Sequence, residues 1–253
     1  MSAPSTDPAP AARAGGPAPP PSYLEALTAR LAEARAVNVE SLVLAARLVE
    51  EAVAGDGIVY VFGSGHSQLA ALELNRRAGG LAPLQVILDP TWGVAERIAG
   101  FGSALVADLG FAPPDCLVVI SSSGSTRASI EIARTGRARG VPVIAVTSMA
   151  ASRQAASGPP SVTRLCDLAN VVLDNPAVGR DSAVRVAPRD VGLAQTSTVV
   201  AAALLHEVVV SAIAGLVRRG LDPPVLRANA EAGGREYNAR LIGRYRGRLQ
   251  RVP

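Results

Sequence analysis

Short apolar runs alternate with polar loops and helical stretches through the middle of the chain. Five of these runs cover residues 58–62, 84–88, 116–120, 141–147 and 171–174. They are rich in β-branched residues and do not alternate apolar with polar positions, which is typical of strands buried on both faces of a parallel sheet. The pattern therefore predicts five such strands.

Helical periodicity separates most of the predicted strands. The helical stretches are residues 67–78, 94–109 and 127–139. A strand, a helix and a further strand in this order form a right-handed βαβ unit. The chain is therefore predicted to be an α/β protein with a doubly wound parallel sheet.

Helices are also predicted on both sides of the strand region. Apolar stripes between Ser22 and Gly55 predict two helices, with a break or a cap at Asn38. Residues 196–218 are almost entirely apolar, but His206 and Glu207 interrupt them. Such a stretch is typical of a buried helix that covers a sheet or lies at a subunit interface.

The first 21 residues have a different composition. They contain seven of the 19 prolines and no Leu, Ile, Val or Phe. A segment of this kind cannot bury enough apolar surface to offset its ordering entropy. We therefore expect residues 1–21 to be a disordered Pro/Ala-rich tail, and residues 22–253 to form one domain.

Two loops of small polar residues follow two of the predicted strands. Residues 63–67 (GSGHS) come after the first strand and residues 121–126 (SSSGST) after the third, each before a predicted helix. Ligands of open parallel sheets bind at the carboxyl ends of the strands. A helix N-terminus there offers free N–H groups and a partial positive charge that suit a phosphate. Capping explains one serine per helix, so the two loops together indicate an anion site.

Composition narrows the chemistry. All 25 residues in the Lys+Arg count are arginine, a bias that matches the heavy use of Ala, Gly and Pro and indicates a GC-rich genome. The lack of lysine excludes a Schiff-base, pyridoxal-phosphate or P-loop lysine. Aromatic residues make up only 3% of the chain, which argues against stacking of nucleic-acid bases.

The cysteines and histidines limit the metal chemistry. Cys116 and Cys166 are far apart in sequence, and the chain has neither a CxxC nor a HxxxH motif, which excludes a zinc finger and a zincin. We expect no metal and no cofactor. Both cysteines lie in apolar surroundings and indicate reduced core residues of a cytoplasmic protein. The pattern shows neither a signal peptide nor an apolar run of membrane-spanning length.

The net charge of +4 is unevenly distributed. Residues 218–253 carry nine arginines against three acidic residues and so hold the whole basic excess. Arg240, Arg244 and Arg248 repeat every four residues and predict a basic helical stripe. No recognised nucleic-acid-binding module accompanies this charge. The stripe is therefore either a solvated helix face or a contact with a ligand or another subunit, and we expect no nucleic-acid partner.

A dinucleotide site is an alternative for the first loop. Gly63 and Gly65 fit the start of the Rossmann fingerprint, and Asp89 ends the second strand, where a ribose-binding acid would lie. The fingerprint requires a third small residue, but position 68 is Gln68. A nucleotide-binding oxidoreductase is therefore the weaker alternative.

Four segments carry a resemblance to a known family: GSGHS, SSSGST, VPVIAVTS at residues 141–148 and QTSTVV at residues 195–200. Together they resemble the SIS (sugar isomerase) domain, most closely that of small stand-alone bacterial proteins, over residues 22–248. The resemblance implies a flavodoxin-like five-stranded parallel sheet, a homodimer or homotetramer, and a sugar phosphate as ligand.

The resemblance also implies which residues contact this ligand. Hydroxyl residues of the two loops would hold the phosphate, namely Ser64, Ser67, Ser121, Ser122, Ser123, Ser125 and Thr126. The residues nearer the sugar would be Gly65, Thr196, Ser197 and Thr198.

Three residues are candidates for catalysis. Moving a proton between C1 and C2 of an open-chain sugar requires a base near the carbon and a hydrogen-bond donor at the carbonyl oxygen. Glu73 lies on the helix after the first loop, His66 lies in that loop, and Glu207 interrupts the apolar helix, where burial without a role would be unfavourable.

The predicted function is isomerase- or etherase-like chemistry on an amino- or N-acetyl-sugar phosphate. The alternative is a phosphosugar sensor that uses the same site without a competent base. Such sensors usually carry a fused DNA-binding domain, and residues 1–21 are too short to form one. This favours the enzyme, or a sensor that acts through a partner.

Overall fold

The computed structural model describes residues 22–155, 163–176, 182–186 and 191–249. The predicted tail, residues 1–21, lies outside these ranges. The elements in chain order are α1 (Tyr23–Val37), α2 (Val39–Ala54), β1 (Val59–Gly63), α3 (Ser67–Glu73), β2 (Leu84–Ile87), α4 (Phe101–Leu105), β3 (Cys116–Ile120), α5 (Arg127–Ala138), β4 (Val143–Thr147), α6 (Met149–Ala155), α7 (Leu165–Leu168), β5 (Val171–Asp174), β6 (Ser182–Val186), β7 (Val191–Gln195), α8 (Ser197–Arg218) and α9 (Gly234–Arg244).

The central sheet has five parallel strands in the order β2-β1-β3-β4-β5. Val59 in β1 pairs with Leu84 on one side and with Cys116 on the other. The chain thus moves outward from β1 to β2, returns past β1 to β3 and continues in the opposite direction. This is the flavodoxin-like order, and its switch point lies between β1 and β3. The predicted fold class is confirmed, with five predicted strands within two residues of the observed bounds.

Helices cover both faces of this sheet. Side chains of β1 alternate between two cores: Val59 and Val61 pack with α2, α3 and α8, whereas Tyr60 and Phe62 pack with α5 and α7. Burial on both faces explains why the strands read as continuous apolar runs.

Helix α8 is buried along one face only. By length and composition it could cross a membrane, and half of its most apolar stretch is buried against the rest of the described chain. Its outer face exposes Val199, Val210 and Val217. Glu207 is also exposed, so the expectation that it is buried is wrong.

Asn38 marks the predicted break between α1 and α2 and is buried. Its side-chain amide donates to the carbonyl oxygens of Ala34 and Asp174, both at 2.7 Å, and its side-chain oxygen accepts from the Asp174 N–H at 2.7 Å. The side chain therefore joins the helix junction to the end of β5 instead of capping α2.

Two predicted helices are shorter in the structure. The stretch 94–109 retains only α4 as a helix, because Gly100 has φ +82° and interrupts it. α3 ends at Glu73, since the chain turns and Arg76 has φ +49°. The β6–β7 hairpin was not predicted. Its strands pair only with each other in the described chain, and Val184 is their one buried apolar residue there, so little apolar burial marks them.

Two arginines of the basic stripe form ion pairs within the chain. Arg244 pairs with Asp56 at 3.3 Å, and Arg248 pairs with the buried carboxylate of Asp115. Arg240 is exposed on α9. Two of the three arginines therefore hold the C-terminal segment at the amino edge of the sheet, opposite the polar loops. The expected contact of the stripe with a ligand or another subunit stays a prediction.

Candidate functional site

A cavity of about 500 Å³ opens at the carboxyl edge of the sheet, over the switch point between β1 and β3. This volume lies within the usual range for small-molecule sites. Three loops and the first turn of α5 line it. Its lining residues are Ser64, Gly65, His66, Ser67, Trp92, Gly93, Val94, Glu96, Ile120, Ser121, Ser122, Ser123, Thr126 and Ser129.

The loop after β1 turns tightly into α3. A side chain at Gly63 would begin 2.5 Å from the carbonyl oxygen of Ser67, so only glycine allows this approach. Gly65 adopts φ +55°. The turn leaves His66 exposed at the cavity and buries Ser64.

Asp89, at the end of β2, joins this loop to the next one. Its fully buried carboxylate accepts hydrogen bonds from Ser64 Oγ at 2.6 Å, from the N–H of Thr91 at 2.8 Å and its hydroxyl at 2.6 Å, and from the Gly93 N–H at 2.8 Å. Burial alone would raise the pKa of Asp89, but the hydrogen bonds from Ser64, Thr91 and Gly93 lower it below its usual value. Asp89 is therefore an ionised residue that fixes the shape of the cavity.

These contacts argue against the dinucleotide alternative. Gln68 is buried and its side-chain oxygen accepts the N–H of Asp89 at 2.6 Å. Both carboxylate oxygens of Asp89 accept hydrogen bonds from the protein itself, so Asp89 is not available to bind a ribose.

The serine loop follows β3 and has more hydroxyls than capping uses. Ser121 is buried and donates to Thr126 Oγ1 at 3.2 Å, and Ser125 donates to Ser123 Oγ at 3.0 Å. Within the described chain, the Thr126 side chain makes no capping hydrogen bond to α5. Ser122 and Ser123 are exposed at the cavity, whereas Ser125 is exposed outside its lining.

A buried hydroxyl pair supports the serine loop from behind. Ser152 Oγ contacts Thr147 Oγ1 at 3.3 Å and donates to the carbonyl oxygen of Ser123 at 3.3 Å. Gly124 passes over this pair with φ +65°, and a side chain there would begin 2.6 Å from Ser152 Oγ and 2.8 Å from Thr147 Oγ1. Glycine is thus required for both conformation and space.

Sequence reasoning missed the third wall, formed by Trp92, Val94 and Glu96, and the buried Ser129 in the first turn of α5. This wall is anchored to α5: the N–H of Ala128 donates to the carbonyl oxygen of Glu96 at 2.9 Å. The signal that could have found it is position, since residues 89–96 follow β2 at the same edge as the two polar loops.

The structure places six predicted residues outside the cavity lining, and Ser125 is the first of them. Thr196, Ser197 and Thr198 begin α8 near the end of β5, where Asn175 donates to the carbonyl oxygen of Ser197 at 2.8 Å. Glu207 lies in a groove with Leu31 and Arg35.

Glu73, the sixth, pairs with Arg77 and lies 3.6 Å from His206 Nε2. Burial and the nearby Arg77 lower the pKa of His206, so its ring is neutral at pH 7. In residues 22–155, 163–176, 182–186 and 191–249, no three or more His, Cys, Asp or Glu side chains are grouped to hold a metal ion.

The comparisons with known proteins agree with this fold. Residues 22–148 match the family model described as "SIS domain". A UPF0309 protein of Listeria monocytogenes is 38% identical over 217 residues, which are 86% of this chain and 93% of the relative. A UPF0309 protein of Streptomyces coelicolor is 36% identical over 242 residues, or 91% and 96% of the two chains.

The chain therefore belongs to the SIS-domain family, and within it to the UPF0309 proteins. Among solved structures, phosphoheptose isomerase GmhA of Neisseria gonorrhoeae has the same fold. The match has a TM-score of 0.52 and 23% identity, and it covers 76% of this chain and 95% of that one.

Replacing Asp89 by Asn is expected to destabilise the fold in a pH-dependent way. Whichever way the amide is oriented, its NH₂ group faces the N–H of Thr91 or of Gly93, which should reduce the free energy of unfolding by about 2–3 kcal/mol at pH 7. Because the folded-state pKa is depressed, this stabilisation is full above the unfolded value of about 3.9 and is lost as the pH falls below it. Urea denaturation at pH 7 and below pH 4 measures the difference.

The exposed Asp222 supplies the control, since Asp222→Asn should leave unfolding unchanged. A destabilisation of Asp89→Asn that does not diminish at low pH would contradict the ionised, hydrogen-bonded state.

Replacing Gly124 by Ala is expected to reduce stability more than replacing Gly140. Both glycines have positive φ, but a side chain at Gly140 would begin 3.6 Å from its nearest neighbour, an ordinary contact. Strain alone should affect both variants by about 1–2 kcal/mol, and overpacking should add about 1–3 kcal/mol at Gly124. Ser152→Ala in the Gly124→Ala background should restore part of the loss; equal effects at both glycines would contradict the tight contact.

Proposed function

We propose that the protein binds a sugar phosphate in the cavity over the switch point, with the phosphate at the serine loop. The observation that carries this proposal is the surplus of hydroxyls at the start of α5, where Ser122, Ser123 and Thr126 face the cavity without capping the helix. A helix N-terminus and small hydroxyl side chains together suit an anion. They do so without a lysine, which this chain lacks.

The sugar would then extend from the serine loop toward the loops after β1 and β2. His66 lies exposed in the first of them and lines the cavity, which supports a role as the proton donor. Proton transfer at C1 and C2 of an amino- or N-acetyl-sugar phosphate, in an isomerase- or etherase-like reaction, is the chemistry that we propose.

A second candidate function is that of a phosphosugar sensor that binds without turnover. The position of Glu73 and Glu207 supports it, since neither predicted glutamate lines the cavity of the described chain. Both candidates require the same phosphate contacts and differ in proton transfer alone.

The phosphate contact is tested by ligand-induced stabilisation. Glucosamine 6-phosphate and N-acetylglucosamine 6-phosphate are compared with the free sugars and with NAD. A ligand at 100 times its Kd should stabilise the fold by about 2.7 kcal/mol. Ser123→Ala should weaken binding of the phosphorylated sugars about tenfold or more, as expected for a lost hydrogen bond to a charged group.

Ser103→Ala is the control, because Ser103 is exposed on α4 away from the cavity. Equal stabilisation by free and phosphorylated sugars would contradict the proposal. A response to NAD in place of the sugar phosphates would favour the oxidoreductase.

We also propose that the protein is cytoplasmic and forms a homodimer or homotetramer. Both cysteines are free. Burial raises the pKa of the Cys116 thiol to about 12, whereas Cys166 is only half-buried, so the expectation that both are core residues holds for Cys116 alone.

The outer face of α8 exposes Val199, Val210 and Val217, which together form an apolar surface that a second copy would cover.

The association is expected to depend on this outer face of α8. Val210→Glu should shift the protein toward the monomer in light scattering, because a charge would be buried at the contact. Val37→Glu, at an exposed valine on α1, is the control. A monomeric native protein, or an unchanged oligomer in Val210→Glu, would contradict this interface.

A further inference from the structure

Two ionisable groups face the cavity among the residues that the structure describes, His66 and Glu96. Glu96 was not a candidate on sequence grounds. A reaction that moves a proton from carbon needs a base beside the carbon. The lining therefore offers a carboxylate for this role that differs from both predicted glutamates.

Glu96 is held firmly in place by its backbone. Its carbonyl oxygen accepts the Ala128 N–H at 2.9 Å, which fixes it to the first turn of α5 beside the serine loop. The segment that follows is fixed as well, since the Glu131 carboxylate of α5 accepts the N–H groups of Gly100 at 2.9 Å and Gly102 at 3.0 Å.

The carboxylate of Glu96 points to the junction of the first two loops. A side chain on Gly93 would begin 3.7 Å from Glu96 Oε2 and 3.3 Å from the Cα atom of Gly65. Glu96 is half-buried, and within the described ranges no hydrogen bond or ion pair engages its carboxylate. Glu73 and Glu131 differ in this respect, because each pairs with an arginine of its own helix or helix end.

A carboxylate without a cation beside it also orients the ligand. It repels a phosphate and so favours the pose in which the phosphate lies at the serine loop and the carbon chain lies toward Glu96. In this pose C1 and C2, the end of the sugar remote from a 6-phosphate, approach Glu96 and His66.

We propose that Glu96 is the catalytic base of this cavity, an inference that rests on the proposed function. The Glu96 carboxylate takes the proton from C2 of an open-chain aldose phosphate, and the C–H electron pair becomes the C1=C2 bond. A protonated His66 donates its proton to the carbonyl oxygen O1, which gives an enediol. Where C2 carries a hydroxyl, protonated Glu96 then returns its proton to C1 while His66 takes the proton of the C2 hydroxyl, which gives the ketose and restores both groups. Where C2 carries an amino or N-acetyl group, the first step gives an enol; protonated Glu96 returns its proton to C2 and His66 takes the proton back from O1, which restores the aldose and both groups.

Proton exchange in D₂O tests this proposal without knowledge of the final product. The full-length protein is incubated with glucose 6-phosphate, glucosamine 6-phosphate or N-acetylglucosamine 6-phosphate, and NMR follows deuterium incorporation at C1 and C2. Glu96→Gln is expected to slow exchange at least 100-fold, the scale of general base catalysis. It should bind the same sugar phosphate as tightly as the native protein or more tightly, because a repulsive charge is removed.

Two further variants sharpen the test. Glu40→Gln changes an exposed carboxylate of α2 and should leave exchange unchanged. Glu73→Gln tests the rival base; slow exchange there with normal exchange in Glu96→Gln would overturn the proposal. Glu96→Asp, which keeps the carboxylate, should recover part of the rate and shows that loss in Glu96→Gln is not misfolding.

The failure of this inference can be told from the failure of the proposed function. If the native protein binds sugar phosphates but exchanges no proton with any of them, Glu96 is not a base and phosphosugar binding stands. If Glu96→Gln loses affinity for glucosamine 6-phosphate alone, the carboxylate binds the ammonium group and the proposal is overturned. If no sugar phosphate binds, both fail.

Discussion

The carboxylate of Asp89 accepts hydrogen bonds from two loops that follow different strands. Ser64 belongs to the loop after β1, and Thr91 and Gly93 belong to the loop after β2. Because the carboxylate is fully buried, losing one of these hydrogen bonds would leave a buried polar group without a partner. The fold would then be destabilised by much of the desolvation energy of that group. The relative position of these loops, and with it the wall that carries Glu96, therefore depends on this one ionised group.

The conformation of the serine loop depends instead on the absence of a side chain at Gly124. Gly124 lies directly on the hydroxyls of Ser152 and Thr147, so the loop rests on β4 and α6 instead of standing free. A preorganised loop binds an anion without first ordering its hydroxyls. The cavity thus has one rigid side that suits a phosphate and another, with Glu96, that disfavours it.

The sheet was predictable because its strands are buried on both faces, and continuous apolar runs report burial directly. The polar loops were predictable because they follow those runs at one edge. The length of α3, the interruption at Gly100 and the placement of Glu96 were not, since each depends on backbone conformation or on contacts with α5 that are distant in sequence. The hairpin β6–β7 escaped prediction for a related reason: its strands bury little apolar surface.

Glu73 is a carboxylate that sequence reasoning assigned to the site but that lies outside the cavity lining. It lies six residues beyond Ser67, which on a helix is about 9 Å along the axis, away from the first loop. Its partners there are Arg77 and His206, on the side of α3 that packs against α8. Glu96 lies in no helix and follows no motif. The turn at Gly93 and the hydrogen bond from the Ala128 N–H to the Glu96 carbonyl oxygen nevertheless bring it beside the first loop. Proximity to the cavity in this fold is set by the strand ends: Glu73, close in sequence to the first loop, lies outside the lining, whereas Glu96, which follows the neighbouring strand β2, is part of it.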